Sequence, residues 1–331
     1  MFSSRYTTGK LSIFLFINIA CILCWIAGYI FSIGYPVYGE ISAPPLWNYI
    51  CQIMPEKGIT FMIGFFLMVG GAFLVHRANY SLMLIREKTL LPVLFYMLLS
   101  STNPDFFPIK SASFGVFCLV LAIYQLFISY HNPYNTYRAF NASFIIGVGS
   151  LLWTYILCFL PLFWFGMYKF RSLNIRSFVA SVMGVITIYW FVFGWCVWQS
   201  DYSALSIPYH TLFKIQPLQI FNSEWTDWIG IIYGVILISI ASINIITHEH
   251  EDNLRTRQFL SFLILMTVWS FGLFFLYEQS SEEFLQVIGL PASILIAHFF
   301  TVVKGKYVFW MFNVSLIAYF IFFILRIWNF L

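Results

Sequence analysis

The stretch RAFNASFIIGVGSLLWTYILCFLPLFWFGMYKFR, residues 138–171, decides the fold. No charge falls between Arg138 and Lys169, and Arg171 follows at once. The run is longer than the roughly 20 residues of one span, yet the cations on both flanks belong on the same, cytoplasmic side of a membrane. A single pass would separate them. Two short passes, Ala139–Trp153 and Thr154–Phe170, satisfy both flanks, with a turn near Trp153-Thr154-Tyr155 at or just within the opposite surface. Short helices with recessed tips predict a cavity open to one side, because non-helical backbone at that depth needs protein or water around it.

Working outward from this pair, the apolar runs give eleven spanning segments. They are Leu11–Ile33, Ile59–Val75, Thr89–Ser101, Ser113–Tyr130, Ala139–Trp153, Thr154–Phe170, Ser177–Val197, Trp228–Ile246, Phe259–Leu276, Leu285–Val303 and Tyr307–Leu325. Of the seventeen lysines and arginines, thirteen then fall inside: Arg5, Lys10, Arg77, Arg86, Lys88, Arg138, Lys169, Arg171, Arg176, Arg255, Arg257, Lys304 and Lys306. Only Lys57, Lys110, Lys214 and Arg326 fall outside. That bias puts the N-terminus inside and, after eleven passes, the C-terminus outside. The acids run the other way: Glu40, Glu56, Asp105, Asp201, Glu224, Asp227, Glu278, Glu282 and Glu283 lie outside.

Composition agrees. A chain of 331 residues that is 61% hydrophobic and 9% charged is far from soluble proteins, in which about a quarter of residues are charged. The expectation is an all-α, polytopic integral membrane protein, one transmembrane domain over residues 1–331. Its two longer outside loops are residues 34–58 and 198–227, and within the second Tyr209–Gln216 reads as a short interfacial helix between prolines. Thr89–Ser101 is short, roughly 20 Å as a helix against a hydrocarbon core of about 30 Å. It must end early or be completed by the run 80–85. The net charge of +4 comes from the inside loops and gives no reason to expect nucleic acid.

Soluble-enzyme signatures are missing: the chain has no phosphate-binding P-loop, no dinucleotide glycine fingerprint, no G-x-S-x-G and no H-E-x-x-H. Cys21-x-x-Cys24 sits mid-helix and reads as packing; of the six cysteines only Cys51 is expected to be exposed outside. His248-Glu249-His250-Glu251-Asp252 has histidines two apart and no second cluster to complete a metal shell, so it reads as a solvated charged loop. His298 is the one titratable side chain well inside a spanning segment, either a functional group or a neutral histidine bonded to a neighbouring helix. Among the outside acids, Glu40 follows the first helix and Asp105 follows the short third segment. Two acids projected from neighbouring helix ends could line one pocket, one taking a proton from an attacking hydroxyl and the other holding a metal or a hydroxyl. The bland reading is that loops need polar residues. Trp47, Trp153, Trp198, Trp225 and Trp228 fall near the outer boundary, where interfacial belts and sugar-stacking surfaces make the same demand.

The order of these features resembles the GT-C class of polytopic glycosyltransferases, which use a polyprenyl-phosphate-linked sugar. Glu40 and Asp105 match the places of that class's acidic positions, after the first and third helices, as isolated acids rather than Asp-x-Asp or paired forms. Arg138–Ser150 looks like its small-residue helix after the fourth segment, and Leu290–Ala297 like its late helix opening with proline. The whole chain also resembles a bacterial membrane-protein family of unknown function that shares the Leu91-Pro-x-Leu…Pro104 region and this late helix. The resemblance implies a GT-C-like arrangement acting on the outer face of a bacterial inner (cytoplasmic) membrane, with Glu40 as base, Asp105 as accessory acid, and Lys110 and Lys214 as the outside cations for the lipid phosphate. No resident metal follows from the residues, though a divalent metal is compatible with the class. Implied partners are membrane lipid, a polyprenyl-linked sugar and other membrane proteins. Two other classes stay open: a non-catalytic membrane subunit of a larger complex, and a transporter or lipid flippase, which would carry inverted repeats and broken helices.

Overall fold

The computed structural model describes residues 5–31, 44–54, 56–87, 89–132, 134–200, 202–218, 225–303 and 305–330. Glu40, with residues 34–43 of the first outside loop, and Lys88, Asp201, Glu224 and Lys304 lie outside the described residues. Thirteen α-helices are described: α1 (Arg5–Phe31), α2 (Pro45–Ile53), α3 (Lys57–Leu82), α4 (Leu91–Thr102), α5 (Ser111–Ile128), α6 (Thr136–Ser150), α7 (Leu160–Lys169), α8 (Ile175–Gln199), α9 (Ser203–Phe213), α10 (Trp225–Thr247), α11 (Leu254–Leu276), α12 (Ser281–Val302) and α13 (Lys306–Phe330). Short 3₁₀ turns join some of them. Among the described residues no strand forms, only an isolated bridge between Gln216 and Tyr277.

Seven helices are long and apolar enough to cross a membrane: α3, α5, α8, α10, α11, α12 and α13. The others are shorter, or, in α1, apolar over the shorter described stretch Asn18–Phe31. The expected short segments are real. The third expected segment is α4, twelve residues, started by Pro92 in its first turn. The run 80–85 does not complete it: α3 continues to Leu82 and ends at Met83, whose left-handed backbone (φ 50°) turns the chain. Residues 139–170 split as expected into α6 and α7, but the turn between them is a 3₁₀ segment, Thr154–Phe159, rather than a simple reversal. In the second outside loop the short helix is α9, Ser203–Phe213, earlier than the Pro-bounded Tyr209–Gln216 because Pro208 is accommodated inside it.

Small residues set the helix approaches, as they must where lipid offers no hydrophobic force between helices. The buried face of α6 carries Ala139, Ala142, Ser143, Gly147 and Gly149, and α8 presents Ser177, Ser181, Gly184 and Ile188 to it. A Cβ on Gly184 would stand 2.6 Å from the Phe140 carbonyl oxygen. Between α4 and α5, Phe107 is the fixed post. It is fully buried, stacks on Trp25 of α1 at 4.5 Å, and lies against Gly28 and Gly64, where side chains would collide with it. This post holds the 3₁₀ turn Pro104–Phe106, on which Asp105 rides. By contrast, α8 and α13 leave Trp190, Phe191, Trp195, Trp198, Phe309 and Trp310 exposed, the surface a lipid-facing helix needs.

Two sequence expectations on exposure are corrected. Cys51 is buried because it lies with Trp47 on the inner face of the amphipathic α2, packed against Ile109. The Trp153-Thr154-Tyr155 turn is not at a watery rim: all three side chains are buried, Trp153 and Tyr155 against Phe284 of α12. The physical reason is that α12 begins there with a carboxylate that the Trp153 indole satisfies.

Candidate functional site

Polar side chains gather at the two ends of the bundle. At the acid-rich end, Lys110 precedes α5 and Glu282 and Glu283 open α12, an acidic first turn that suits a helix N-terminus. Lys110 Nζ donates to Glu282 Oε2 at 2.6 Å. Glu283 accepts from Ser111 Oγ at 2.7 Å and from Trp153 Nε1 at 2.6 Å. Gln286, one turn on, exchanges a hydrogen bond with Ser113. The starts of α5 and α12 and the end of α6 are thereby tied together. Burial pushes the Lys110 ammonium toward its neutral form, but the Glu282 carboxylate, with Asp105 and Glu283 nearby, outweighs it and holds Lys110 above its ordinary value.

Beside this knot a cleft opens between α4, α10, α12 and α13. Its walls are largely apolar: Leu99, Ile231, Val235, Ile238, Leu285 and Phe322. Glycines thin it at Gly230, Gly234 and Gly289; a Cβ on Gly234 would meet nothing within 4 Å, and one on Gly230 only the Arg326 guanidinium at 3.9 Å. Its polar lining is Ser100, Thr102, Asn103, Gln286, Tyr319 and Arg326. Tyr319 is 4% exposed, and among the described residues its hydroxyl has no hydrogen-bond partner, a state that costs about 1–3 kcal/mol unless something fills it. Arg326 stands seven residues further along α13, about 10 Å by helix rise, where the cleft reaches the acid-rich end.

Asp105 lies between two residues of the cleft wall, Asn103 and Phe106. Its backbone N–H donates to the Asn103 side chain at 3.2 Å, which fixes the turn, and its half-buried carboxylate is an electrostatic neighbour of Lys110. The structure thus brings Asp105 and Lys110 together and sets Asp105 on the cleft's rim. Lys110 is committed to Glu282, and Lys214 is an exposed residue just after α9 that does not line the cleft. Arg326, Tyr319 and Glu283 are what residue-by-residue reading overlooked. The available signals were a lone arginine closing an apolar helix and an acid doublet opening another. Among the described residues no three His, Cys, Asp or Glu side chains are grouped to hold a metal.

At the cation-rich end the loop after α3 meets the starts of α11 and the end of α12. Arg86 Nε donates to Asp252 Oδ1 at 2.5 Å and Arg86 Nη1 to Glu251 Oε2 at 3.2 Å; His298 Nε2 lies 3.3 Å from Asp252 Oδ2. The side chains of Asp252 and His298 are each 2% exposed. This corrects the reading of 248–252 as a wholly solvated loop, and it places a loop carboxylate beside His298 at ion-pair distance, although among the described residues neither ring nitrogen completes a hydrogen bond. Burial would raise the Asp252 carboxyl, but the His298 ring and the Arg86 guanidinium outweigh it and hold the group below its ordinary value. Asn79, buried, secures the loop through the Ile85 N–H and the Thr89 carbonyl.

The class these features define is an all-helical, multi-pass membrane protein with polar chemistry confined to two ends of an apolar bundle. Compared with protein-family models, curated proteins and solved structures, the chain matches none.

Proposed function

We propose that this chain handles a polyprenyl-phosphate-linked sugar at the acid-rich end of its bundle, as a glycosyltransferase of GT-C-like arrangement or a catalytically degenerate relative, in a bacterial inner membrane with that end outward. The observation that carries the reading is the cleft between α4, α10, α12 and α13: apolar walls thinned by glycine, a buried Tyr319 hydroxyl without a partner, and Arg326 where the cleft reaches the polar end. An isoprenoid chain fits such walls, and a phosphate needs the cation and the hydroxyl. Arg326 takes the role first given to Lys110 and Lys214, because it lines the cleft and they do not. Asp105, on the rim, is the accessory acid. Glu40 is retained as the base on its sequence position, outside the described residues. Eleven passes, with N-terminus inside and C-terminus outside, complete the reading; the cation bias supports the orientation.

A polyprenyl phosphate carrying a photoreactive group tests the seat directly. Crosslinks should map to α10, α12 and α13 and should fall at least tenfold in Gly234→Leu, which fills the cleft from a position with open space around it, and in Arg326→Gln. Labelling indifferent to both substitutions would remove the donor site. The chemistry is tested separately: Glu40→Gln and Asp105→Asn should fail to complement a deletion strain at normal membrane abundance. If both complement, the non-catalytic subunit is the better account, and one observation already favours it, namely that Glu282, Glu283 and Lys110 are spent on joining helices.

A further inference from the structure

Among the described residues Arg77 and Arg138, at the cation-rich end, make no salt bridge to a carboxylate. Arg77 lies in the last turns of α3 and Arg138 in the first turn of α6, and α5 packs against both helices, bringing Tyr124 and Gln125 between them. The Tyr124 hydroxyl is in reach of Ser81 and Arg77, and Arg138 is close enough to act on it electrostatically. Arg138 is held in place: Nη1 donates to Gln125 Oε1 at 2.5 Å, and the guanidinium stacks over Tyr137 at 4.7 Å. Its Nε is buried with no acceptor. Neighbouring cations are engaged otherwise, Arg86 with Asp252 and Glu251, Lys169 with the Ser261 hydroxyl, and Arg255 over the Tyr130 and Phe259 rings.

The geometry points to a binding site for a phosphate monoester or diester between Arg77 and Arg138, with the Tyr124 hydroxyl at its base and a membrane lipid headgroup as its source. Two guanidinium groups on separate helices, that of Arg138 held by Gln125 and Tyr137 and that of Arg77 exposed beside Tyr124, match the oxygens of one phosphate better than they match solvent. The α6 helix starts two residues before Arg138 with no side-chain cap and brings the positive end of its dipole to the same place. The lipid source is favoured by the flanking rings: Tyr134 is 90% and Tyr137 51% exposed, as interfacial aromatics are at headgroup level. This site is at the opposite end from the cleft and does not depend on the function proposed for it.

The test is native mass spectrometry of the full chain in detergent, titrated in separate arms with phosphatidylglycerol, phosphatidylcholine and inorganic phosphate. The wild type should retain one phosphatidylglycerol at concentrations where phosphatidylcholine is lost. Arg77→Gln and Arg138→Gln should each weaken retention at least tenfold, and the double variant should abolish it. The paired Arg77→Lys and Arg138→Lys variant keeps the charge and should keep part of the binding, which separates loss of the site from loss of the fold. Inorganic phosphate bound by the wild type and lost in the double Gln variant, with no lipid retained, would assign the site to a soluble phosphate compound and overturn the headgroup assignment. Equal retention of every probe by the wild type and the double Gln variant would overturn the site altogether.

Discussion

Replacing Glu283 tests the reading that one buried carboxylate fastens three helix ends. Its oxygens accept from Ser111 Oγ at 2.7 Å and Trp153 Nε1 at 2.6 Å; the indole can only donate, whereas the serine hydroxyl can also accept. Glu283→Ala removes two hydrogen bonds from a buried carboxyl, each worth about 0.5–1.5 kcal/mol, and leaves the indole N–H buried and unsatisfied, at about 1–3 kcal/mol. With partial relaxation the loss should be about 2–4 kcal/mol. Glu283→Gln keeps the shape, its amide oxygen accepting the indole N–H and its amide N–H donating to the Ser111 hydroxyl, so less than half of that loss should remain. The chain carries its own reporter: Cys21, Cys24, Cys51 and Cys196 are free and buried, so a thiol-reactive fluorophore in detergent follows unfolding as they become accessible. At roughly 2–4 °C per kcal/mol, Glu283→Ala should lower the midpoint by about 4–16 °C. The decisive measurement is the double-mutant cycle of Glu283→Ala with Trp153→Phe, whose coupling should reach about 1–2 kcal/mol. Strictly additive shifts would refute the bond as a fastening.

Four further outcomes follow. Gly64→Ala sets a Cβ 2.3 Å from the Phe107 carbonyl oxygen and should cost about 1–3 kcal/mol, whereas Gly234→Ala, in open space, should be neutral or stabilising by up to about 1 kcal/mol through helix propensity; the reverse ranking in the thiol assay would contradict the packing of α3 on the Phe107 post. Because the Asp252 carboxyl is held below its ordinary value in the folded state, it contributes stability above its unfolded pKa of about 3.9, and that contribution disappears as pH falls through the lower folded value. Melting profiles of Asp252→Asn should therefore lose part of the acid-induced drop below about pH 4. Thr154→Cys should resist an impermeant thiol reagent, since Thr154 is buried, while Tyr202→Cys, at an exposed position, should react readily; fast labelling of both would restore the watery turn. Reporters fused after Lys306 and at Leu331 should lie on opposite sides of the membrane, the first with the cations, and the opposite labelling at both would reverse the orientation.

The helices were legible in the chain because hydrocarbon-spanning length and charge bias are local properties. The uncharged stretch between Arg138 and Lys169 required a pair of short helices, and α6 and α7 are that pair. Pro92, Pro45 and Pro161, each in the first turn of a helix, mark starts that the sequence already carries. The separation of acids and cations likewise anticipated two polar ends. What residue order could not give was which faces meet. These helices are apolar around most of their circumference, so hydrophobic periodicity does not choose a buried face, and in lipid the choice falls to small residues and polar contacts. Glu283 and Trp153 are 130 residues apart, and Arg86 and Asp252 are 166 apart; nothing local distinguishes them from solvated loop residues such as Lys214. Their burial, the closure of the Trp153 turn, and the position of Arg326 on a cleft instead of at a free end were decided only when the Phe107 post, the α6–α8 small-residue contact and the carboxylate at the start of α12 fixed the helices relative to one another.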